Sequence, residues 1–385
     1  MIQVFKPSMG QDEIDAVAEV IRSGWIGLGP KTVEFEGRFA DYVGADHAVA
    51  LNSATAALHL ALEVFGISSG DEVLVPAISF VSTAHAVIYN QARPVFVDVE
   101  ADTLCMDIDD MKRKISKRTK AIVPVHYGGY PCDLDAIHEV AERSEAVVIE
   151  DAAHACGSEY KGEKIGSISD ATCFSFHAVK NLAVGDGGMI TLNDKGKDKM
   201  LRKLRWVGIN KSTWERTELV EEAVTSEREK YGQYGWYYDV DVLGYKYHLN
   251  DIAASIGLVQ LEKLDQTNGR RREIVALYNQ AFADVSWIRT PIEKEWMHSA
   301  CHNYVIRTPY RDELNLYLRD QGIATGVHYM PIHLHPYYRK NDYDADVPIA
   351  EEVWKNLLTL PLYPDLTNKE VAAVIDAIKN YSPRD

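Results

Sequence analysis

The chain has 385 residues, of which 46% are hydrophobic and 25% charged, and its formal net charge is −16 at pH 7. This composition is that of a globular protein, and the length exceeds what one hydrophobic core usually holds, so we expect a large domain and a smaller one. The negative charge argues against a surface that neutralises phosphate backbones, and we therefore expect no nucleic-acid partner.

The cysteines and the apolar runs bear on the location of the protein. Five cysteines form no CxxC pair and lie mostly in apolar stretches, which favours reduced thiols over zinc sites or disulfides. The start, MIQVFKPSMGQDE, lacks the basic and apolar regions of a signal peptide. No apolar run approaches the roughly 20 residues of a membrane helix. We predict a cytoplasmic protein without a membrane segment.

The first half of the chain alternates between two kinds of pattern. Residues 10–23, GQDEIDAVAEVIRS, have apolar residues at helical spacing and predict an amphipathic helix. Beyond them, HAVAL, EVLVP, PVFVDV, KAIVPVH, AVVIE, ATCFSF and GMITL are short apolar runs, and helical patterns such as TAALHLALEVF lie between several of them. Strands that are apolar on both faces and alternate with helices predict a mainly parallel sheet, with about seven strands before residue 193.

The second half is organised differently. Residues 209–247 mix charged and aromatic residues without periodicity, which is typical of a functional loop or of a loop packed on a neighbouring subunit. A long helix is predicted in NDIAASIGLVQLEKLDQ, then a helix at 270–283, a strand in HNYVIRT, and helices in DELNLYLRDQG and NKEVAAVIDAIKNY. We predict a large domain over residues 1–250 and a smaller α+β domain over residues 251–385.

Polar residues follow the strands, where ligands of open α/β sheets bind. After HAVAL, residues Ser53 to Thr55 begin a helix, and such a start either binds phosphate or is an ordinary N-cap. Asp151 ends the run AVVIE, and His154 lies three residues further on. An ion pair or a cap explains Asp151 by itself, and a structural role explains His154 by itself.

Lys180 follows ATCFSF and precedes GDGG. A lysine in a pocket can lose its proton and attack carbonyl groups, whereas a lysine in a surface loop is only solvated. A phosphate cradle, an acid that keeps a pyridine nitrogen protonated and a Schiff-base lysine are together what pyridoxal phosphate requires. Phe80 in PAISFVSTAH can stack on such a ring or pack in the core.

Other chemistries lack their signatures in this sequence. GxGxxG after a first strand, GxxxxGK[ST] and GxSxG do not occur, which disfavours dinucleotide, P-loop and serine-hydrolase functions. The histidines of VHYMPIHLH have no carboxylate or cysteine at ligand spacing, so no metal is expected.

Taken together, the chain resembles the DegT/DnrJ/EryC1/StrS family of pyridoxal-phosphate sugar aminotransferases, which belong to the aspartate-aminotransferase fold type, fold type I. The resemblance covers nearly the whole length. It rests on segments that follow the family's order: SGWIGLGPKTVEFE, NSATAAL, PAISFVSTAHAV, VHYGGYPCDLDAI, EDAAHACGSEYKG, FSFHAVKNLAVGDGGMI, GYKYHLNDIAASIGLVQL and VHYMPIHLHPYY.

The resemblance implies a role for each of the residues singled out above. Lys180 is expected to bind the cofactor covalently, and Asp151 to pair with its pyridine nitrogen. The remaining cofactor contacts are assigned to Ser53, Ala54, Thr55 and Ser175 at the phosphate, His154 at the ring hydroxyl and Phe80 over one ring face. The resemblance also implies a homodimer with a shared site. This chain has GYKYHL where the family more often has GYNYR. In the shared site, either Lys246 of the partner subunit or His248 of the partner subunit is expected to reach the phosphate.

The resemblance also bears on the reaction. Members that dehydrate sugars carry histidine where Lys180 stands, so transamination is favoured, with glutamate as donor and pyridoxamine phosphate as the intermediate form of the cofactor. EDAAH and SFHAVK look most like members that aminate C4 of nucleotide-linked 4-keto sugars for amino-sugar, polysaccharide or natural-product biosynthesis. Amination of a cyclitol or of another (3-keto) sugar, and a non-catalytic regulator, stay open. The residues expected to bind the substrate are Trp25, Ile26, Gly27, His328 and Tyr329.

Overall fold

The computed structural model describes residues 1–211 and 237–383. Short apolar segments of the first half form strands that make one central sheet. These strands are β1 (His47–Leu51), β2 (Glu72–Pro76), β3 (Arg93–Val97), β4 (Thr119–Ile122) and β5 (Val147–Asp151), followed, after the short strands β6 (Glu159–Tyr160) and β7 (Glu163–Lys164), by β8 (Ala171–Ser175) and β9 (Gly188–Leu192).

The central sheet has seven strands in the order β1-β9-β8-β5-β4-β2-β3. Every neighbouring pair is parallel except the pairs that β9 makes with β1 and β8. The predicted mainly parallel sheet of about seven strands is thus confirmed. Since β9 runs in the opposite direction, its first residue lies at the edge where β8 ends.

Helices cover both faces of this sheet. Successive strand residues point to opposite faces, so Val73 and Val75 enter one hydrophobic core and Leu74 enters the other. The helices of this half are α1 (Gln11–Ser23), α2 (Pro30–Val43), α3 (Ala54–Val64), α4 (Ser82–Tyr89), α5 (Ile108–Lys114), α6 (Leu134–Ser144) and α7 (Lys195–Leu204). The predicted helix at 10–23 is therefore confirmed to within one residue.

The C-terminal part surrounds a third hydrophobic core. The helices of this part are α8 (Asp251–Phe282), α9 (Arg311–Asp320), α10 (Pro336–Lys340), α11 (Pro348–Val353) and α12 (Asn368–Lys379). Of these, α10 and α11 pack in a core of the central sheet and not in the third core. The strands of this part are β10 (Met297–His298), which pairs with β6, and β11 (Tyr304–Arg307), which pairs antiparallel with β12 (Leu357–Leu360). Ile2 forms a β-bridge with Ile323, and the N–H of Leu362 donates to the carbonyl of Val4, so the start of the chain also joins this part.

The long helix α8 corrects the sequence analysis, which predicted two separate helices between residues 250 and 283. The structure has one helix of 32 residues. The apolar spacing breaks because Asn268 and Arg271 occupy positions of the buried stripe between Leu264 and Ile274. Both polar side chains are buried and hydrogen-bonded, Asn268 to the carbonyl of Cys156 at 3.0 Å and Arg271 to a carbonyl of the C-terminal part.

The first half of α8 packs in a core of the central sheet, and its second half packs in the C-terminal core. The division into domains 1–250 and 251–385 stays a prediction. Of the aromatic segment 209–247, residues 212–236 lie outside the described ranges, among them Trp214, Tyr231, Tyr234 and Trp236. Within the described ranges, no helix combines the length and the apolar composition that crossing a membrane requires.

Candidate active site

A cavity of about 370 Å³ lies where β1, β5 and β8 end and β9 begins. Most residues that the sequence analysis assigned to a cofactor or substrate site line it, although they come from distant parts of the chain. The predicted residues in its wall are Ser53, Ala54, Thr55, Phe80, Asp151, His154, Ser175, Lys180, His328 and Tyr329. A larger cavity of about 610 Å³, lined by Trp287 and Arg307 among others, contains none of them.

Lys180 lies in the turn that connects β8 to β9. The N–H of Lys180 donates to the carbonyl of His177 at 2.8 Å, and the N–H of Val184 donates to the carbonyl of Phe176 at 2.9 Å, which closes the turn. The Lys180 side chain lines the cavity and is half-buried. Burial therefore lowers the pKa of Lys180 to about 8, although the Asp151 carboxylate opposes this shift. About a tenth of the amine is therefore neutral at pH 7, far more than for an ordinary lysine.

Asp151 is the last residue of β5 and is almost completely buried. Each of its carboxylate oxygens accepts one hydrogen bond from the protein: Oδ2 from the Thr83 hydroxyl at 2.8 Å, and Oδ1 from the N–H of Ala153 at 3.1 Å. Burial raises the pKa of Asp151, and these donors together with the charges of Lys180 and His126 oppose the rise. The carboxylate still has lone pairs for a donor in the cavity.

His154 is buried beside Tyr329 and His302. Its Nδ1 accepts the backbone N–H of Gly128 at 3.2 Å, and its Nε2 lies 3.3 Å from the Tyr329 hydroxyl. Burial holds the pKa of His154 well below its usual range, and the charges of Lys180 and His328 add to this effect. The ring is therefore neutral, and because Nδ1 accepts, the proton is on Nε2.

Hydroxyl groups and a helix N-terminus form the other end of the cavity. Ser53 caps α3, and its Oγ accepts the N–H of Ala56 at 3.1 Å. Thr55 Oγ1 lies 2.7 Å from Ser82 Oγ, and Ser175 is buried at the end of β8. The first turn of α3, at the positive end of the helix dipole, is suited to a phosphate.

Gly188 lets β9 start beside the turn between β1 and α3. A Cβ atom at this position would lie 2.5 Å from the backbone carbonyl of Ser53 and 2.7 Å from the nitrogen of Ala54. Only a residue without a side chain fits there. Through this glycine, the end of the cavity that the start of α3 forms packs against the turn that carries Lys180.

Two groups of predicted residues do not line the cavity within the described part of the chain. Trp25, Ile26 and Gly27 belong to a loop that is bound to α8: the carbonyl of Gly27 accepts the N–H of Asp251 at 2.8 Å. Lys246 and His248 contact Trp206 instead. The Lys246 ammonium lies 3.2 Å from the Trp206 ring centroid, and the His248 and Trp206 rings are 4.4 Å apart. Their segment nevertheless runs beside the cavity, because the N–H of Asn52 donates to the carbonyl of Tyr247 at 2.7 Å.

Several side chains that support the site were not predicted from the sequence. Thr83, with Ser79 behind it, contacts Asp151. Asn181 donates to Asn268 at 2.7 Å and to the carbonyl of Ala300 at 2.8 Å, and thus ties the turn of Lys180 to α8 and to the C-terminal part. Asn181 Oδ1 also contacts His302 Nδ1 at 2.9 Å. Ser79 and Thr83 are polar residues four apart in an otherwise apolar segment, which is a signal that could have been read.

The arrangement fits pyridoxal phosphate. Hydroxyl groups and the start of α3 suit its phosphate, the buried Asp151 suits a protonated ring nitrogen, and a lysine whose burial lowers its pKa to about 8 suits its aldehyde. Phe80 is 57% exposed, and its ring lies 6.0 Å from that of Tyr329 at the cavity wall, as a stacking residue requires.

Comparison with known proteins points in the same direction. A family profile described as DegT/DnrJ/EryC1/StrS aminotransferase family matches residues 7–379. The spore coat polysaccharide biosynthesis protein SpsC of Bacillus subtilis (strain 168) is 43% identical over 384 residues, which cover 97% of this chain and 95% of SpsC.

Solved structures show the same similarity. The putative sugar aminotransferase Spr1654 from Streptococcus pneumoniae, in its PMP form, superposes with a TM-score of 0.90 at 35% identity, with 98% of each chain covered. Its PLP form superposes with a TM-score of 0.89 at 34% identity, with 99% of this chain and 100% of that chain covered.

Proposed function

Because the chain belongs to the DegT/DnrJ/EryC1/StrS aminotransferase family, we propose that it moves an amino group from glutamate to C4 of a nucleotide-linked 4-keto sugar. The family makes it a pyridoxal-phosphate-dependent sugar aminotransferase whose cofactor passes through the pyridoxamine form. The observation that carries the proposal is one cavity that holds Lys180, with its lowered pKa, together with the buried Asp151 and the neutral His154.

Pyridoxal phosphate, when bound, supplies an electron-withdrawing ring that acidifies the carbon next to the transferred nitrogen. Lys180 would hold the aldehyde carbon and, once released by the amino donor, would take the proton from the donor's Cα as a neutral amine. Asp151 would accept the N–H of the ring nitrogen, and His154 would donate its Nε2 proton to the ring hydroxyl. Phe80 would cover one face of the ring.

The phosphate would lie against Ser53, Ala54, Thr55 and Ser175. Of the described residues that line the cavity, Lys180 is the only lysine or arginine. One ammonium group among the described lining residues does not balance a phosphate and the carboxylates of glutamate, which favours a further cation from outside this part of the wall. In a homodimer, Lys246 of the partner subunit would supply such a cation, or His248 of the partner subunit would contact the phosphate instead.

The keto sugar would enter beside His328 and Tyr329, which line the cavity. The loop of Trp25, Ile26 and Gly27 would contact the same substrate at the boundary between subunits. The motifs EDAAH and SFHAVK favour C4 as the position of amination. The polysaccharide function in the name of SpsC, at 43% identity, supports a sugar as acceptor.

Replacement of Lys180 tests the covalent link. Wild-type protein with pyridoxal phosphate should be yellow and should bleach with glutamate. Lys180→Ala should hold cofactor only without a covalent bond, so borohydride reduction followed by mass spectrometry should find an adduct in wild type and none in the variant. Lys164→Ala is the matched control, because Lys164 is half-buried but does not line the cavity. A reduced adduct of unchanged yield in Lys180→Ala would contradict the proposal.

A substrate panel tests the finer part of the proposal. Nucleotide-linked 4-keto sugars, 3-keto sugars and an oxidised cyclitol are each incubated with the protein and glutamate. We expect amination of a 4-keto sugar, with the new C–N bond at C4 in the NMR spectrum of the product and 2-oxoglutarate formed in equal amount. Turnover of only the cyclitol or only a 3-keto sugar would retain the aminotransferase and reject C4.

A further inference from the structure

We propose that Thr83 is a positioning residue whose hydroxyl keeps the Asp151 carboxylate ionised and oriented toward the cavity. Ser79 supports Thr83 from behind, and we call the pair Ser79 and Thr83 the hydroxyl relay. The inference rests on the proposed function, in which Asp151 accepts the N–H of the cofactor's ring nitrogen. Thr83 itself does not line the cavity, whereas Ser79 and Asp151 do.

The geometry of the relay is continuous and buried. Thr83 Oγ1 lies 2.8 Å from Asp151 Oδ2, and Ser79 Oγ lies 2.7 Å from Thr83 Oγ1. The exposed fractions are 3% for Ser79, 1% for Thr83 and 5% for Asp151, so bulk water does not replace these partners. The relay follows β2, whereas Asp151 ends β5; the two segments meet because both strands end at the same edge of the sheet.

The chemistry of the three groups sets the direction of both hydrogen bonds. An ionised carboxylate has no proton to donate, so the single proton of Thr83 points to Asp151 Oδ2. The Thr83 oxygen then faces Ser79 with a lone pair, and Ser79 must donate to it. The two donations run toward the carboxylate, and each hydroxyl polarises the next. If Asp151 were protonated, the two hydroxyl groups would no longer have to donate in this direction. The relay therefore favours the ionised form of Asp151.

The second oxygen of Asp151 is held independently, since Oδ1 accepts the N–H of Ala153 at 3.1 Å. The relay and this N–H together fix the plane of the carboxylate and leave it one unfilled side toward the cavity. Among the described titratable groups, Lys180 and His126 lower the pKa of Asp151 by their charges, and the Asp151 charge in turn raises the pKa values of Tyr329 and Cys173. None of these groups is altered by a substitution at position 79 or 83, so a change at the relay can be assigned to its hydroxyls.

The decisive comparison is Thr83→Val against Thr83→Ser in the holoenzyme. Valine removes the donor at nearly constant shape, whereas serine keeps it. Without the donor, Asp151 binds a proton more readily, and the ring nitrogen of the cofactor holds its proton less tightly. The nitrogen that joins Lys180 to the cofactor should then have a pKa about 1 unit higher, measured as absorbance against pH. Thr83→Ser should titrate like the wild type, and Ser79→Ala should show a smaller shift of the same sign.

Several results would overturn the relay. One is a Thr83→Val titration that matches wild type, and another is an equal shift in Thr83→Val and Thr83→Ser, which would assign the effect to packing. If Thr83→Val does not fold, Ser79→Ala decides, because a titration identical to wild type contradicts the relay.

A second measurement separates this inference from the proposed function. In the cofactor-free protein, the ¹³C shift of the Asp151 carboxyl carbon, assigned by its loss in Asp151→Asn, should titrate at higher pH in Thr83→Val than in Thr83→Ser. Equal values would reject the relay even if the enzyme binds its cofactor as proposed. A wild type that forms no coloured complex would reject the proposed function, while the carboxyl titration would still decide on the relay.

Discussion

The surroundings of Lys180 change the protonation of a residue type that usually lies at the surface. Burial lowers its pKa to about 8, and Asp151 prevents a larger shift. Compared with an ordinary lysine, whose pKa is about 10.4, the neutral fraction at pH 7 is more than about 100 times larger. The neutral amine is the form that attacks an aldehyde and that accepts a proton from carbon. The pKa of Lys180 is thus lowered before any cofactor is bound.

The pH dependence of cofactor capture tests whether the pKa of Lys180 is lowered in this way. In the cofactor-free protein, the rate of capture of pyridoxal phosphate should rise about tenfold per pH unit below pH 8 and level off above it, because the amine is then already neutral. Stopped-flow absorbance measures the rate. Asp151→Asn should move the inflection to lower pH, since the charge that raises the pKa of Lys180 is lost. A rate that still climbs near pH 10 would mean an ordinary lysine.

At the scale of elements, the antiparallel strand β9 brings the two ends of the site together. Its first residue, Gly188, touches the backbone of Ser53 and Ala54, while the turn that leads into it carries Lys180. A parallel strand at this place would begin at the opposite edge of the sheet, so its first residue could not lie beside Ser53. The close approach of Gly188 therefore controls the distance between the phosphate end and the lysine.

Gly188→Ala should weaken cofactor binding. The added Cβ would lie 2.5 Å from Ser53 backbone atoms, so β9 or the start of α3 must move, and we expect the dissociation constant of pyridoxal phosphate to rise at least about tenfold. Equilibrium dialysis or absorbance titration measures it. Gly37→Ala is the control: its Cβ meets nothing within 4 Å, and in α2 alanine should stabilise folding by about 0.5–1 kcal/mol. Equal affinity in the two variants would refute this account.

The sequence allowed the central sheet and the core of the site to be predicted for a definite reason. Parallel strands end at one edge, so Ser53, Asp151 and Lys180 could be brought together from strand ends alone. Contacts between individual side chains that are far apart in the sequence could not be predicted. Thr83 donates a hydrogen bond to Asp151, 68 positions further along the chain, and no periodic pattern in the sequence indicates such a pair. The continuity of α8 was missed for a similar reason, because buried Asn268 interrupts the apolar stripe.

At the scale of the whole molecule, the site depends on parts that lie far apart. Asn181, next to Lys180, bonds Asn268 in α8 and the carbonyl of Ala300 in the C-terminal part. Asn268 in turn donates to the carbonyl of Cys156. These buried hydrogen bonds tie the turn of Lys180 to α8 and to the C-terminal part, so a disturbance of either is expected to reach the site.

Mixed dimers test the proposed sharing of sites between subunits. Lys180→Ala lacks the lysine, and the double variant Lys246→Ala/His248→Ala lacks both candidate phosphate contacts. If a site takes Lys180 from one subunit and its phosphate contact from the other, random reassociation of equal amounts should restore about a quarter of wild-type activity. Each variant alone should be nearly inactive. No recovery, with mixed dimers confirmed by native mass spectrometry, would show that each subunit builds its site alone.

The bridge between Ile2 and Ile323 has a consequence for the order in which the protein can be assembled. Ile2 and Val4 find their backbone partners only at residues 322–324 and 362. Residues 2–4 leave the ribosome before residues 322–362, so they stay without these partners until the later residues have been made. The C-terminal core is thus closed by residues that are synthesised long before the rest of that core.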